Sequence, residues 1–199
     1  MSTVDRMRQD FSTLTLVLIP VAIAINLAVG QLIFSLKVPL YLDSIGTVLV
    51  GVLAGPWAGA LTGLLANLVW GLSGLNVPYA AFAAVAAVIG LLAGLFGEAR
   101  WLRQWWKVIL AGLITGLVAA TISAPISAYV FGGVTGAGTD VVVAMFRGIG
   151  LGILPASFAQ GVSSDPLDKA VTYLVVWLIV RALPGRFVAR FPRAQNVTA

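Results

Sequence analysis

Residues 38–55 read VPLYLDSIGTVLVGVLAG, a run that is almost entirely apolar and carries one acid, Asp43. A carboxylate at the edge of an apolar run has two common roles. It caps the N-terminus of a helix, or it faces a polar group or solute that the protein holds. Which role applies to Asp43 depends on the solvent around the run and on the other polar residues of the chain.

The chain contains too few charged residues for a water-soluble domain. Its 199 residues are 60% hydrophobic and 10% charged, with a mean hydropathy of +1.02, whereas soluble domains carry about 25% charged residues. Because polar side chains are too few to cover a globule in water, we expect lipid to be the main solvent. The net charge of +5 then reports on membrane orientation, and we expect no nucleic-acid partner.

The first apolar run, residues 14–34, follows Arg6 and Arg8. It resembles a signal peptide in this respect, but it is longer than a signal-peptide core and further apolar runs follow it. We therefore expect it to remain in the protein as a membrane helix, long enough to cross a hydrocarbon core of about 30 Å.

Five further apolar runs make six predicted membrane segments: residues 41–54, 57–72, 79–96, 108–131 and 169–183. The second and third segments are short for a full crossing, so they form either a tight hairpin or a re-entrant pair. Residues 132–168 are predicted to form a long outer loop that contains a helix within residues 141–160. The sequence DPLD, residues 165–168, is typical of a helix start.

Basic residues predict the orientation, because cytoplasmic loops of membrane proteins are enriched in Lys and Arg. If the N-terminus is cytoplasmic and residues 141–160 do not cross, then only Lys37, Arg147 and Lys169 lie outside. A crossing at residues 141–160 would move the four C-terminal arginines outside. We therefore predict one all-α membrane domain, residues 1–199, built as a compact six-helix bundle with both termini cytoplasmic.

Glycines recur every four residues in three predicted segments, which places small residues on one helix face and lets helices approach closely. These glycines are Gly55, Gly59 and Gly63, then Gly90 and Gly94, then Gly112 and Gly116. The sequence shows no internal repeat, so it does not favour an inverted-repeat transporter.

Motifs for catalysis or energy coupling are absent from the sequence. It has no phosphate-binding loop, no His and no Cys, and its predicted cytoplasmic acids, Asp5, Asp10 and Glu98, are widely separated. These features argue against ATP binding, a transition-metal site and a lipid-phosphate enzyme. We expect no catalytic residues, no metal and no cofactor.

Polar and aromatic residues concentrate instead on the predicted outer side. A pocket there would offer aromatic faces, amides and carboxylates to a small, flat, polar heterocycle. The candidate binding residues are Tyr41, Asp43, Asn67, Trp70, Asn76, Tyr79, Tyr129, Arg147, Gln160 and Asp165.

Each candidate also has a structural explanation that the sequence leaves open. Asp43 would cap the second helix, and Trp70 and Tyr79 would belong to an interfacial aromatic belt. Arg147 would pair with a nearby Asp of the outer loop. Asn67 is the most informative residue, because an amide inside an apolar run needs a partner, which is either another helix or a ligand.

Four stretches resemble the substrate-binding S component of energy-coupling factor (ECF) transporters, which are ABC transporters. They are YLDSIGT (41–47), LAGPWAGALTGLLAN (53–67), FGGVTGAGTD (131–140) and SDPLDKAV (164–171). This resemblance implies a six-helix protein of the prokaryotic plasma membrane that binds a vitamin or related micronutrient from outside. It also implies docking on a transmembrane T component driven by two ATP-hydrolysing subunits, with release of the cargo when the bundle topples.

The resemblance further implies that a small-residue patch on the first helix, here Ala24 and Ala28 around the polar Asn26, contacts the T component. The substrate stays open among thiamine-like pyrimidines, pyridoxine-like pyridines, riboflavin and a nucleoside or base. Two other functions remain as alternatives: a stand-alone channel or facilitator for small solutes, and a membrane-embedded enzyme.

Overall fold

The computed structural model describes residues 3–197, and side chains from residue 7 onward. Asp5 and Arg6, both predicted to be cytoplasmic, therefore have side chains outside the described part. Within that range the chain is helical and has no strand. The helices are α1 Thr3–Asp10, α2 Thr13–Leu36, α3 Ile45–Ala54, α4 Pro56–Leu72, α5 Ala83–Glu98, α6 Trp105–Phe131, α7 Asp140–Gly148, α8 Ile153–Ala182 and α9 Gly185–Val188. Short 3₁₀ turns occupy Val77–Phe82, Trp101–Arg103 and Ala194–Asn196.

Among the described residues, three helical stretches are long and apolar enough to cross a membrane: Thr13–Leu36, Val77–Glu98 and Trp105–Phe131. Stretches of this kind are the mark of a membrane protein. Helix α8 is longer still, at 30 residues, but its middle carries Asp165, Asp168 and Lys169.

Helices α2 to α6 and α8 pack against one another, and short connections between successive helices favour antiparallel neighbours. We call the end at Leu36, Leu72 and Phe131 the upper end, and the end at Ala54 and Glu98 the lower end. Every residue of α3 is buried, and α3 packs against α2, α4, α5 and α8. A helix that is apolar on all sides belongs in such a central position.

The glycine spacing predicted close helix contacts, and the structure confirms them. A Cβ atom added to Gly59 would overlap the backbone of Gly90, and one added to Gly90 would overlap that of Gly59, so these residues join α4 to α5. A Cβ atom added to Gly112 would overlap the backbone of Ala170, and one added to Gly116 would overlap the backbone at Asp165. Helix α6 therefore lies directly against α8.

The last helix begins much earlier than the sequence suggested. Helix α8 starts at Ile153, so residues 165–168 lie in its middle instead of at its start, and Pro166 is inside the helix. The outer loop consequently shortens to residues 132–152 and contains α7. Pro166 is accommodated because Gly116 leaves room for α6 beside it, and neighbouring helices compensate for a proline in such bundles.

Helix α8 was misread because its polar residues face the bundle interior. Its buried set includes Ser157, Gln160, Ser164, Asp165 and Asp168, which share one helix face at spacings of three and four residues. Its large apolar side chains, including Phe158, Leu167 and Leu178, are exposed instead. This arrangement suits a helix surrounded by lipid on one side and by a polar interior on the other.

The second segment also starts differently from the prediction. Helix α3 begins only at Ile45, and residues 38–44, which we call the inserted segment, reach deep into the bundle without forming a helix. Gly46 lies against the backbone of Ala22, and α2 extends about 21 Å from Ala22 to its upper end at Leu36. The inserted segment therefore descends well below the upper end before α3 starts.

Asn26 of α2 fixes the depth at which α3 begins. Its Oδ1 accepts the N–H of Gly46 at 2.7 Å, and its Nδ2 donates to Thr47 Oγ1 at 2.8 Å. Asn26 is buried and satisfies a donor that a helix start leaves free. It thus performs the capping role expected of Asp43, since the residue before α3 makes no side-chain cap.

At the lower end, Asp10 and Arg193 join the two ends of the described chain. The buried Asp10 carboxylate accepts from Arg193 Nη2 at 3.0 Å and from the N–H of Trp57 at 3.1 Å. Burial raises the pKa of the Asp10 carboxyl, although the hydrogen bond from Arg193 acts in the opposite direction. Arg193 also pairs with Glu98 at 3.2 Å, so α1, α4, α5 and the C-terminal segment meet here.

Candidate functional site

A cavity of about 800 Å³, counted with the solvent-open space inside it, lies above α3. Its lining comes from the inserted segment, α4, the turn Val77–Phe82, α5, α6, the loop before α7, and α8. The polar and aromatic residues of the lining are Tyr41, Asp43, Ser44, Asn67, Tyr79, Phe82, Ser123, Ser127, Thr135, Asp140, Gln160, Asp165 and Lys169. Apolar residues such as Val85, Ile89 and Ala119 complete it.

An ion pair in the middle of α8 holds the inserted segment in place. Asp168 Oδ1 accepts the backbone N–H groups of Tyr41 and Leu42, each at 2.8 Å. Its Oδ2 accepts from Lys169 Nζ at 2.6 Å, and both side chains are buried. One carboxylate therefore replaces the hydrogen bonds that the non-helical backbone lacks at this depth.

Leu42 adopts a left-handed backbone conformation with φ of 48°. This conformation costs a non-glycine residue of order 1–3 kcal/mol and persists only when surrounding contacts impose it. The bond from its N–H to Asp168 is such a contact, so the geometry of the inserted segment depends on α8.

Lys169 uses all of its donors inside the protein. Its ammonium group contacts Asp168 Oδ2 at 2.6 Å, Ser44 Oγ at 3.0 Å and Asp43 Oδ1 at 3.5 Å. An ammonium has three N–H groups, so this set accounts for all of them. Asp43 thus faces the cavity floor and the buried lysine.

Tyr79 forms an aromatic wall of the cavity and rests on residues behind it. Its ring centroid lies 3.9 Å from that of Trp70, and Phe34 meets it edge-on at 6.5 Å. Trp70 is itself fixed by donation from Nε1 to Gln31 at 3.1 Å, and Gly30 leaves space for the indole, because a Cβ there would overlap it.

The loop over the cavity is fastened by Asp140. Its carboxylate accepts from the N–H groups of Thr135 and Gly136 and from the Thr135 hydroxyl, at 2.7 to 3.1 Å. The hydroxyl of Tyr41 lies 2.9 Å from Thr139 Oγ1. The inserted segment and this loop therefore form one connected wall.

Two polar residues of the lining carry side-chain atoms that make no hydrogen bond among the described residues. Asp165 is 6% exposed, and its Oδ1 makes no hydrogen bond. Asn67 is also 6% exposed, and no hydrogen bond of its side-chain amide is seen in this part of the chain. Buried polar groups without partners cost stability, so they are where a ligand gains most.

Six of the ten predicted binding residues line the cavity: Tyr41, Asp43, Asn67, Tyr79, Gln160 and Asp165. Trp70 lies behind Tyr79, and Asn76 is buried outside the lining. Tyr129 is 71% exposed, and Arg147 is exposed on α7. The expected pairing of Arg147 with an outer-loop Asp is wrong for Asp140, whose carboxylate is occupied by loop groups. The binding role of all ten residues stays a prediction.

Sequence reasoning missed several residues that the site uses. Lys169 was taken only as an outer base, although its position beside Asp168 placed it on the same polar face of α8. Ser123 and Ser127 are four residues apart on α6 and both line the cavity; this spacing was a usable signal. Nothing in the sequence around Gly30 indicated that it makes room for the Trp70 indole.

Within residues 7–197, no group of three or more His, Cys, Asp or Glu side chains is placed to hold a metal ion. Comparison of the whole chain with protein-family models, curated proteins and solved structures found no match.

The Asp168 network makes a testable prediction about stability. Asp168→Ala should lower the free energy of unfolding by about 3–5 kcal/mol, because it leaves the Lys169 ammonium and two backbone N–H groups buried without their main partner. Denaturant unfolding in detergent measures this loss. Ser163→Ala, on the exposed face of the same helix, is the matched control, and equal stability of the two variants would contradict the network.

Proposed function

We propose that this protein is the substrate-binding membrane subunit of a transporter of the energy-coupling factor type. Its cargo would be a vitamin or related small heterocyclic micronutrient. The observation that carries the proposal is the cavity, where rings, amides and carboxylates line a partly open space inside an apolar bundle.

Two features favour binding over a structural role for the cavity. The unpaired Asp165 Oδ1 and the amide of Asn67 are buried polar groups that a structural core would satisfy. The aromatic wall built by Tyr79 on Trp70 offers a flat surface, which suits a heterocycle. Asp165, Asn67 and Tyr79 lie on three different elements that meet at the cavity.

We propose a six-span topology in the cell membrane with both termini cytoplasmic. The bundle of six helices supports this topology. The contact between Asp10 and Arg193 also supports it, because the two ends of the described chain lie at the same end of the bundle. The basic residues Arg100, Arg103, Arg186 and Arg190 belong to that end, which favours the cytoplasm there. The upper end, with the cavity mouth, would then face outside.

Movement of the cargo would depend on partner proteins, a T component and two ATP-hydrolysing subunits. The chain carries no phosphate-binding loop, and Ala24 and Ala28 lie exposed on one face of α2. Asn26, between them in sequence, points inward to α3 and leaves that face small and apolar. Such a face permits close approach of another membrane helix.

A stand-alone channel fits the geometry less well. The Asp168–Lys169 pair and the fully buried α3 fill the bundle below the cavity. A facilitator needs a continuous path across the membrane, and this packing leaves the cavity open toward one end.

Purification followed by mass spectrometry of the bound small molecule tests the binding role directly. We expect a stoichiometric heterocyclic compound, and uptake of that compound into vesicles only when the partner subunits and ATP are supplied. Uptake by the protein alone, without ATP, would support the facilitator instead.

Asn67→Ala should weaken binding of the copurified compound by about 1–3 kcal/mol, because the amide lies in the cavity and has no protein partner. Calorimetric titration measures the change. Tyr129→Ala is the control, since Tyr129 is exposed away from the cavity and its loss should leave affinity unchanged. Equal effects of the two variants would show that the compound binds at a different site.

The topology can be tested with single cysteines, because the chain has none of its own. In whole cells, a membrane-impermeant maleimide should label Arg147→Cys from outside and should label Gln104→Cys only after the membrane is broken. Both positions are exposed. Labelling of Gln104→Cys in intact cells would contradict the proposed orientation.

A further inference from the structure

We propose that the cavity selects an organic cation, an aromatic or heteroaromatic ring that carries a positively charged nitrogen group, over neutral and anionic ligands. This inference rests on the proposed function, because it names the class of solute that the same cavity holds. It narrows the substrate among the alternatives that the sequence left open.

The charged groups of the lining are unbalanced. Three aspartates, Asp43, Asp140 and Asp165, line the cavity together with one base, Lys169. Lys169 is occupied by Asp168, Ser44 and Asp43, so it has no N–H group left for a ligand. An anionic ligand would meet carboxylates without a free cation to receive it, which is costly in an enclosed space.

The three aspartates differ in how many of their carboxylate oxygens already accept hydrogen bonds from the protein. Both carboxylate oxygens of Asp140 accept hydrogen bonds from the loop at Thr135 and Gly136. Asp43 uses Oδ1 for Ser44 and Lys169, and its Oδ2 has no protein donor in the part of the chain described. Asp165 Oδ1 has none either. Two carboxylate oxygens of lining residues therefore lack a protein donor among the described residues.

Asp165 carries most of the argument, because its buried side chain belongs to the cavity lining and its Oδ1 has no hydrogen-bond partner among the described residues. It is 6% exposed, and Lys169, one helical turn away, directs its ammonium to other partners. A buried carboxylate needs a charged or donating partner. A cationic ligand with N–H donors supplies both the charge and the hydrogen bond.

The aromatic lining favours the same class of ligand. Tyr79 and Phe82 line the cavity, and ring faces attract cations, more strongly where water is excluded. Tyr79 is held in place by Trp70, so its ring is a fixed surface. A flat cation would therefore meet rings on its face and carboxylates at its charged edge.

Three compounds of equal shape and different charge test this inference: benzamidinium, benzamide and benzoate. Their affinities for the purified protein, freed of copurified ligand, are compared in detergent by calorimetry or by shifts of the melting temperature. We expect benzamidinium to bind about tenfold or more tighter than benzoate, the difference expected for a charge-assisted hydrogen bond. Benzamide should fall between them.

Asp165→Asn should abolish most of the preference for benzamidinium, because it keeps the shape of the side chain and removes the charge. Glu98→Gln, at the lower end of the bundle, is the matched control and should retain the preference. If Asp165→Asn does not fold, the charge series in the unmodified protein still decides. Equal binding of the three compounds, preference for benzoate, or no saturable binding of benzamidinium at millimolar concentration would overturn the inference.

The identity of the copurified compound separates this inference from the proposed function. A cationic heterocycle that is imported with ATP supports both. A neutral or anionic vitamin imported with ATP and partner subunits would overturn the charge selectivity and leave the transporter role intact.

Discussion

The buried pair Asp168–Lys169 is the interaction on which the rest of the structure depends. Non-helical backbone is tolerated deep inside a membrane bundle only when its polar groups are satisfied, and Asp168 satisfies two of them in the inserted segment. Lys169 neutralises Asp168 and reaches Ser44, where α3 begins. Because α3 starts low in the bundle, a space remains above it, and that space is the cavity.

This arrangement explains why the polar residues of the chain gather in one place. Polar side chains come from the inserted segment, α4, α6 and α8, and each would be unfavourable in contact with lipid. At the cavity, several of these side chains form hydrogen bonds or ion pairs with one another. The groups that stay unpaired, chiefly Asp165 Oδ1, are then available to a solute. At the lower end, by contrast, Asp10 and Glu98 both pair with Arg193.

Apolar runs and glycine spacing were sufficient to predict the helical class, most helix positions and the contacts of α4 with α5. They failed at α8, because a helix whose polar face is turned inward has no continuous apolar run, and Asp165 with Pro166 imitates a helix start. They also failed at residues 38–44, where the absence of a helix depends on Asp168, 126 positions away from Leu42. Six of the ten candidate residues line the cavity, whereas Tyr129 and Arg147 are exposed outside it, because local polarity does not report which way a side chain points.

Hydrogen exchange of the backbone amides of Tyr41 and Leu42, measured in lipid nanodiscs, tests the central claim most directly. If Asp168 holds the inserted segment inside the bundle, these two amides exchange as slowly as those of the surrounding helices, although they belong to no helix. Exchange as fast as that of the exposed residues 149–152 would contradict the account, because the segment would then be open to water and the cavity would have no fixed floor.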